Sequence, residues 1–305
     1  MYPCKYRFNS VYSVVSVAKY EIIEENFKGP IKKMNIDSQT KLLGIIGYPI
    51  KHSLSPILHT TLAKNYGLNF VYLAFEVTSQ KFKYIRECIL TLNIRGLNVT
   101  IPYKEKIMHY LDEIDEKAKE VGAVNTIVNR NNKLFGYNTD IYGFEKSLEG
   151  VSLKGEDVLV LGCGGVSKAI VCGLKDFSIR KIFVYDIDEN KMSQMKKKFG
   201  KIVNCIKSSQ IKDVLDKVKL VVNATPLGMK EGDLPPVELG WIKKEHIVYD
   251  VIYNRETELV SYAKKLGCRV IDGKAMFVYQ AEQSFFLWTG VRPDTKIMFE
   301  IIGLK

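Results

Sequence analysis

The sequence contains no uninterrupted apolar stretch near the roughly 18 residues that a membrane-spanning helix requires. Even Val11 to Ala18 is short and broken by Ser13 and Ser16, so the chain is not expected to span a bilayer. Histidine is scarce: only His52, His59, His109 and His246 occur, and none forms a His-x-x-x-His pair beside a carboxylate. That scarcity argues against a catalytic metal, and none is expected. The six cysteines, Cys4, Cys88, Cys163, Cys172, Cys205 and Cys268, lack the paired spacing of a zinc site, and a chain of this length needs no disulfide framework. A reduced, cytoplasmic setting is the expectation. Internal repeats and low-complexity tracts are also missing, which excludes solenoids and fibrous arrays. Residues 1–33 have no clear period, no A-x-A-like cleavage site follows their short apolar run, and Glu21, Glu24 and Glu25 argue against a transit peptide. They read as a dispensable extension, with Met34 as the expected true start.

What is present is ample material for burial. The chain has 305 residues, 46% of them hydrophobic, and this exceeds the usual size of one core, so two domains are the default. Its formal charge is +11. Lys and Arg are spread through helical segments, Lys191, Lys196, Lys197 and Lys198 among them, which fits a solvated surface better than a nucleic-acid stripe. The same positive field helps attract anionic ligands such as a carboxylate or a pyrophosphate.

The apolar pattern alternates between strand and helix. A buried strand is predicted at 43–46, then a helix at 56–66 with Ser55 as N-cap, Pro56 in the first turn and Gly67 past its end. A strand at 69–77, a helix at 80–92 and a strand at 96–101 follow. Further on come strands at 157–161, 181–185, 220–223, 246–251 and 269–271. Helices are predicted from the glycine-rich turn to about 175, and at 188–199, 256–266 and 275–289. Such alternation predicts an α/β chain: an N-terminal α/β unit plus a Rossmann-like, doubly wound, largely parallel sheet.

Gly162-Cys163-Gly164-Gly165-Val166-Ser167 lies between a predicted strand and a predicted helix. Glycines there let the backbone turn tightly and approach a pyrophosphate, while the helix aims its first amide groups at the charge. Asp186 falls twenty-two residues beyond Gly164 at the end of the next strand, where a carboxylate can accept hydrogen bonds from ribose hydroxyls; this favours NAD. Asp188 adds a second carboxylate against a 2′-phosphate, or it caps the following helix, and Lys191 softens the argument. Asn223-Ala224-Thr225-Pro226-Leu227-Gly228 follows another strand end and reads either as a second cofactor loop or as a simple Pro-Gly turn.

Lys104, in Asn98-Val99-Thr100-Ile101-Pro102-Tyr103-Lys104, and Asp140, in Asn138-Thr139-Asp140, are the candidate catalytic pair. Oxidation of an alcohol needs a hydride acceptor, which a dinucleotide supplies, and a proton acceptor at the hydroxyl, which the protein must supply. These motifs, with Ser53-Leu54-Ser55-Pro56, Ala123-Val124-Asn125-Thr126 and Gly162-Cys163-Gly164-Gly165, together resemble the shikimate dehydrogenase family over residues 41–305.

The resemblance implies reversible NAD(P)-dependent reduction of 3-dehydroshikimate to shikimate, on the route to chorismate and aromatic amino acids. It also implies substrate contacts from Ser53, Ser55, Thr100, Lys104, Asn125, Asp140, Tyr253 and Gln280. Cofactor contacts are implied for Gly162, Cys163, Gly164, Gly165, Val166, Asp186, Thr225, Val251 and Gly273. NADP is usual for the family, most members carrying Asn-Arg-Thr where this chain has Asp186-Ile187-Asp188; NAD is therefore favoured here. The domains implied are an extension at 1–40, a substrate-binding catalytic domain at 41–140 and 274–305, and an inserted dinucleotide-binding domain at 141–273. The family includes monomers and homodimers. A catabolic quinate/shikimate dehydrogenase is the near alternative, and a noncatalytic dinucleotide- or nucleic-acid-binding protein the remote one; no nucleic-acid or membrane partner is expected.

Overall fold

The computed structural model describes residues 36–303; the extension at 1–33 and the expected start at Met34 lie outside them. The chain builds two six-stranded sheets, one after the other. The first uses β1 (Lys41–Gly47), α1 (Ser55–Asn65), β2 (Phe70–Glu76), α2 (Ile85–Thr91), β3 (Gly96–Val99), β4 (Glu113–Ile114), α3 (Glu116–Val121), β5 (Thr126–Arg130), β6 (Lys133–Tyr137) and α4 (Thr139–Ser147). Its order is β2-β1-β3-β5-β6-β4. β1 runs parallel to β2 and β3, whereas β5 is antiparallel to both β3 and β6.

The second sheet contains β7 (Asp157–Leu161), β8 (Lys181–Tyr185), β9 (Val203–Cys205), β10 (Leu220–Asn223), β11 (Ile247–Asp250) and β12 (Arg269–Asp272). Between and after these strands lie α5 (Gly165–Leu174), α6 (Glu189–Phe199), α7 (Ile211–Leu215), α8 (Glu258–Leu266), α9 (Gly273–Thr289) and α10 (Thr295–Ile301). All its strands are parallel, in the order β12-β11-β10-β7-β8-β9. That is the doubly wound arrangement, in which the direction of winding reverses between β7 and β10 and leaves a crevice at their carboxyl ends. Every residue of β7 is buried, as a strand covered by helices on both faces must be.

Local chemistry sets the ends of the helices. Asp188 accepts the amides of Asn190 and Lys191 to cap α6, Thr257 accepts that of Val260 to cap α8, and Asp272 accepts that of Lys274 to cap α9. Three sequence expectations are corrected. Ser55 is not the N-cap of α1: it is the first helical residue, Leu54 before it is already in the right-handed helical region, and no side chain caps the turn. The Ser55 N–H instead reaches Ser53 Oγ at 3.3 Å, while Pro56 has no N–H to offer a cap. The helix expected at 80–92 is divided into a 3₁₀ turn, Phe82–Tyr84, and α2. The strand expected at 96–101 stops at Val99.

The core follows the two sheets and also joins them. One apolar cluster runs from Ile141 and Phe144 of α4 through Val158, Val160 and Ile170 to Met276 of α9. Phe144 meets Tyr249 of β11 edge-on, with ring centroids 5.1 Å apart. α9 then returns to the first sheet, where Trp288 is buried and its indole donates to the Ile127 carbonyl at 2.8 Å.

Candidate active site

Strand ends place the candidate residues. Thr100 and Lys104 leave the end of β3, Ser53 and Ser55 follow β1, and Asp140 lies in the first turn of α4. Lys104 Nζ donates to Asp140 Oδ2 at 2.7 Å, with the two side chains 21% and 13% exposed. The other carboxylate oxygen, Oδ1, accepts from Asn125 Nδ2 at 2.9 Å. Lys104, Asp140 and Asn125, which the sequence separates by up to 36 positions, thus form one charge-assisted cluster at the rim of the first sheet.

Among the described residues the remaining candidates make no direct hydrogen bond to this cluster. The Thr100 methyl packs against Gly47, where no Cβ fits. The Tyr253 ring stacks on Phe277 with centroids 4.8 Å apart, and burial pushes its phenol up. Gln280 turns its amide back to the Phe277 carbonyl at 2.9 Å and lies over Gly143 of α4, where a Cβ would come within 3.0 Å of it. Tyr253 and Gln280 therefore meet through Phe277.

A layer of polar side chains unforeseen in the sequence lies beneath this cluster. Tyr72 donates to Asn98 Oδ1 at 2.7 Å, and Asn98 Nδ2 faces the Asn125 carbonyl, Thr126 Oγ1 and Ser284 Oγ at 3.1 to 3.2 Å. Burial holds the Tyr72 phenol well above its ordinary range, the neighbouring Ser55 hydroxyl opposing it, so Tyr72 stays a neutral donor. Asn98, Thr126 and Thr139 sit inside motifs already quoted and were readable as polar residues at element ends; Ser284 carried no signal. Beside Tyr72, the ring of His59 is sealed in the interior, 4.6 Å from the tyrosine ring, with neither nitrogen hydrogen-bonded. Burial pushes its imidazole down to about 3.

At the second sheet the glycine-rich loop joins β7 to α5. Gly162 has φ +95°, and a Cβ there would meet the Ala224 carbonyl oxygen at 2.7 Å, so only glycine suits the position. Gly164 and Gly165 instead face open space, with no atom within 4 Å of an added Cβ. A free approach to the first amides of a ten-residue helix fits the pyrophosphate of a dinucleotide. Val166 packs against the core behind the loop. Asp186 accepts the Cys163 N–H at 2.7 Å through one carboxylate oxygen and the Asp188 N–H at 2.9 Å through the other. Burial, and after it the Asp186 charge, push the Cys163 thiol up to about 12; Cys163 contributes an amide, not a thiolate.

Thr225 stands on the opposite wall of the crevice. Asn223 Oδ1 accepts the Thr225 N–H at 3.1 Å and its hydroxyl at 2.7 Å, while Asn223 Nδ2 donates to Asp250 Oδ1 at 3.1 Å. Asp250 is fully buried; burial raises its carboxyl against the pull of Ile252 N–H, Thr257 and Asn223. Val251 takes its N–H to the Asn223 carbonyl at 3.0 Å, and Gly273 is pressed against the Val251 carbonyl so closely that no side chain fits. Among the described residues no group of three His, Cys, Asp or Glu side chains is placed to hold a metal ion, and no helix is long and apolar enough to cross a membrane.

Comparison with known proteins bears on this arrangement. Residues 45–127 match a family model described as the shikimate dehydrogenase substrate binding domain, and residues 275–299 match the shikimate 5′-dehydrogenase C-terminal domain. The chain is 41% identical over 258 residues to an NADP(+) shikimate dehydrogenase of Aquifex aeolicus, covering 84% of this chain and 93% of that one. Among solved structures it is similar to quinate dehydrogenase from Corynebacterium glutamicum in complex with NAD, with TM-score 0.82 and 33% identity over 86% of this chain and 98% of that one. Shikimate 5-dehydrogenase from Listeria monocytogenes, in complex with shikimate and NAD, gives TM-score 0.82 and 31% identity over 88% and 99%.

Proposed function

The chain belongs to the shikimate dehydrogenase family, and on that premise we propose that Lys104 and Asp140 are its catalytic pair. The reaction is the reversible, NAD(P)-dependent reduction of dehydroshikimate to shikimate. The bound nicotinamide supplies or accepts the hydride. Lys104 Nζ gives a proton to the carbonyl oxygen as it becomes a hydroxyl, and takes one from that hydroxyl in the reverse direction. Asp140 holds the Lys104 ammonium group at 2.7 Å, and Asn125 holds Asp140, so the proton donor keeps one orientation. This half-buried ion pair, clamped by an amide, carries the reading.

The hydroxyls of Ser53 and Ser55 bind the substrate carboxylate, with Thr100, Tyr253 and Gln280 completing the contacts to a small polyhydroxylated acid. Gly162, Cys163, Gly164, Gly165 and Val166 form the pyrophosphate loop, and Asp186, Thr225, Val251 and Gly273 complete the cofactor contacts. NAD is the preferred cofactor, on the strength of Asp186 and Asp188. The chain divides into an extension at 1–40, a substrate domain at 41–140 and 274–305, and an inserted dinucleotide domain at 141–273; the two separate sheets and the return of α9 to the first support the division. The described cysteines Cys88, Cys163, Cys172, Cys205 and Cys268 are free thiols, which suits the reducing cytoplasm.

The test follows absorbance at 340 nm with shikimate and with quinate, each with NAD and with NADP. Turnover of shikimate is expected, and Lys104→Ala should lower kcat by about 10³-fold, within the range of general acid–base catalysis. Asp140→Asn should lower it as well. A Lys104→Ala enzyme that binds shikimate weakly yet turns it over at the original rate would remove Lys104 from the chemistry. Faster turnover of quinate would favour a quinate/shikimate dehydrogenase, the reading to which the similarity with the Corynebacterium glutamicum enzyme lends support.

A further inference from the structure

We infer that Thr126 and Ser284 are positioning residues, which act through Asn125 to fix the catalytic pair; the inference rests on the assignment of Lys104 and Asp140 above. Both are fully buried, and they come from opposite ends of the substrate unit, Thr126 on β5 and Ser284 on α9.

Proton bookkeeping around them leaves little freedom. Ser284 commits its own proton to the Gln280 carbonyl at 2.9 Å, so towards Thr126 and Thr139, at 2.9 and 3.0 Å, its oxygen only accepts. The two threonine hydroxyls carry one proton each. They face two acceptors, Ser284 Oγ and Asn125 Oδ1, the latter 3.0 Å from Thr126 and 3.2 Å from Thr139. The two hydroxyls also lie 3.2 Å from each other, but a proton spent between them would leave Ser284 or Asn125 with one donor fewer; with one proton to Ser284 and the other to Asn125, both acceptors and both hydroxyls are satisfied. Asn125 Oδ1 also accepts the Thr139 N–H at 2.7 Å, which fills its two lone pairs.

With its oxygen saturated on the buried side, the Asn125 amide cannot turn over, and its NH₂ must face Asp140. One amide proton goes to Asp140 Oδ1; among the described residues the second has no protein acceptor and is free for a substrate hydroxyl. Asn98 closes the arrangement from β3: its two amide protons are shared among the Asn125 carbonyl, Thr126 Oγ1 and Ser284 Oγ, while its oxygen takes the Tyr72 proton. Since Tyr72 also adjoins the Ser55 hydroxyl, one buried network supports both the carboxylate end of the substrate site and its proton-transfer end. A buried network of this kind holds geometry only while every member is satisfied.

The experiment is a double-mutant cycle between Thr126 and Asn125, read as kcat and KM for shikimate. Thr126→Val keeps the shape and removes the hydroxyl; kcat should fall about tenfold, the scale of one lost hydrogen bond, with the dissociation constant of the nicotinamide dinucleotide unchanged. Thr126→Ser, which keeps the hydroxyl, should recover most of the rate. In an Asn125→Ala background Thr126→Val should cost nothing further. Ser284→Ala, which removes one of the acceptors of the threonine protons, should lower kcat in the same sense and guards against a Thr126 variant that fails to fold. Equal losses in both backgrounds would reduce Thr126 to a structural residue and overturn the inference. Full activity of Thr126→Val and Ser284→Ala beside an inactive Lys104→Ala would overturn it while leaving the catalytic assignment intact. Absence of turnover by the unaltered chain would remove that assignment and the inference with it.

Discussion

The proposed preference for NAD rests on three consecutive side chains. Asp186 is already engaged by two backbone amides and Asp188 caps α6, while Ile187 between them is 91% exposed and offers no charge. A 2′-phosphate bound here would meet two carboxylates, and nearby Lys191 has its Nζ 3.9 Å from Asp188. The triple variant Asp186→Asn, Ile187→Arg, Asp188→Thr removes the repulsion, adds a guanidinium and keeps a helix cap. Its ratio of kcat/KM for NADP over NAD should rise by about 100-fold, because one charge-assisted phosphate contact contributes about 1.5–3 kcal/mol. An unchanged ratio in steady-state kinetics would show that these positions do not select the cofactor. Lys104, Asp140 and the glycine loop were legible in the sequence because each lies in a short contiguous motif whose residue types already state the chemistry. Ser284 was not legible: it reaches Thr126 across 158 positions, and no local pattern distinguishes a serine facing a polar pocket from one facing solvent.

The interface of α1, β2 and α9 shows how an element boundary can be misread while its packing has measurable consequences. β7 and β10 fall where apolar runs predict them, since a strand buried on both faces is continuous in sequence, and β8 falls where its β-branched and aromatic residues predict it. The β5–β6 hairpin went unread because its turn uses Asn131 and Asn132, both at positive φ, in place of the glycine that marks most such turns. α1 begins at Ser55 rather than after it, and its buried face carries His59 inward against Tyr72, Phe285 and Trp288. The imidazole is pushed from 6.5 to about 3 by burial, so on acidification the unfolded chain takes up its proton first. Stability from this group is therefore complete above about pH 6.5 and is lost as pH falls towards 3. Between pH 7 and pH 5 the unaltered protein should lose about 2 kcal/mol more than His59→Phe does, measured by urea unfolding at each pH. Parallel losses in the two proteins would show that His59 is not protonated in this way.

At the scale of the whole molecule, two sheets need not mean two independent folding units. Val121 and Ala123 from the first unit share a cluster with Val158, Val184 and Val222 of the second. α4, which leads from the first sheet into the second unit, is tied to β11: Ser147 at its end exchanges a hydrogen bond with Tyr249 at 2.8 Å, and Phe144 meets the Tyr249 ring edge-on. Ion pairs add a weaker outer layer: Lys168–Glu105, Lys175–Glu120, and Lys117 with both Glu145 and Asp176. Burial opposes the Lys117 charge, but the carboxylates of Asp176 and Glu145 more than offset it and its ammonium is held up. Exposed pairs of this kind contribute little each, so cooperation between the units rests on the shared apolar contact. The sequence has two tryptophans, Trp288 in the core of the first sheet and Trp241 packed against that of the second. In a Trp241→Phe protein the remaining fluorescence reports the first unit alone, whereas far-ultraviolet circular dichroism reports both. The two unfolding curves should coincide, as a single cooperative transition requires. Phe144→Ala in the same background should cost about 3–5 kcal/mol and draw the curves apart, because Phe144 belongs to the apolar cluster that joins Val121 and Ala123 of the first unit to the strands of the second sheet. Separate curves before that substitution would mean that the shared cluster does not couple the units.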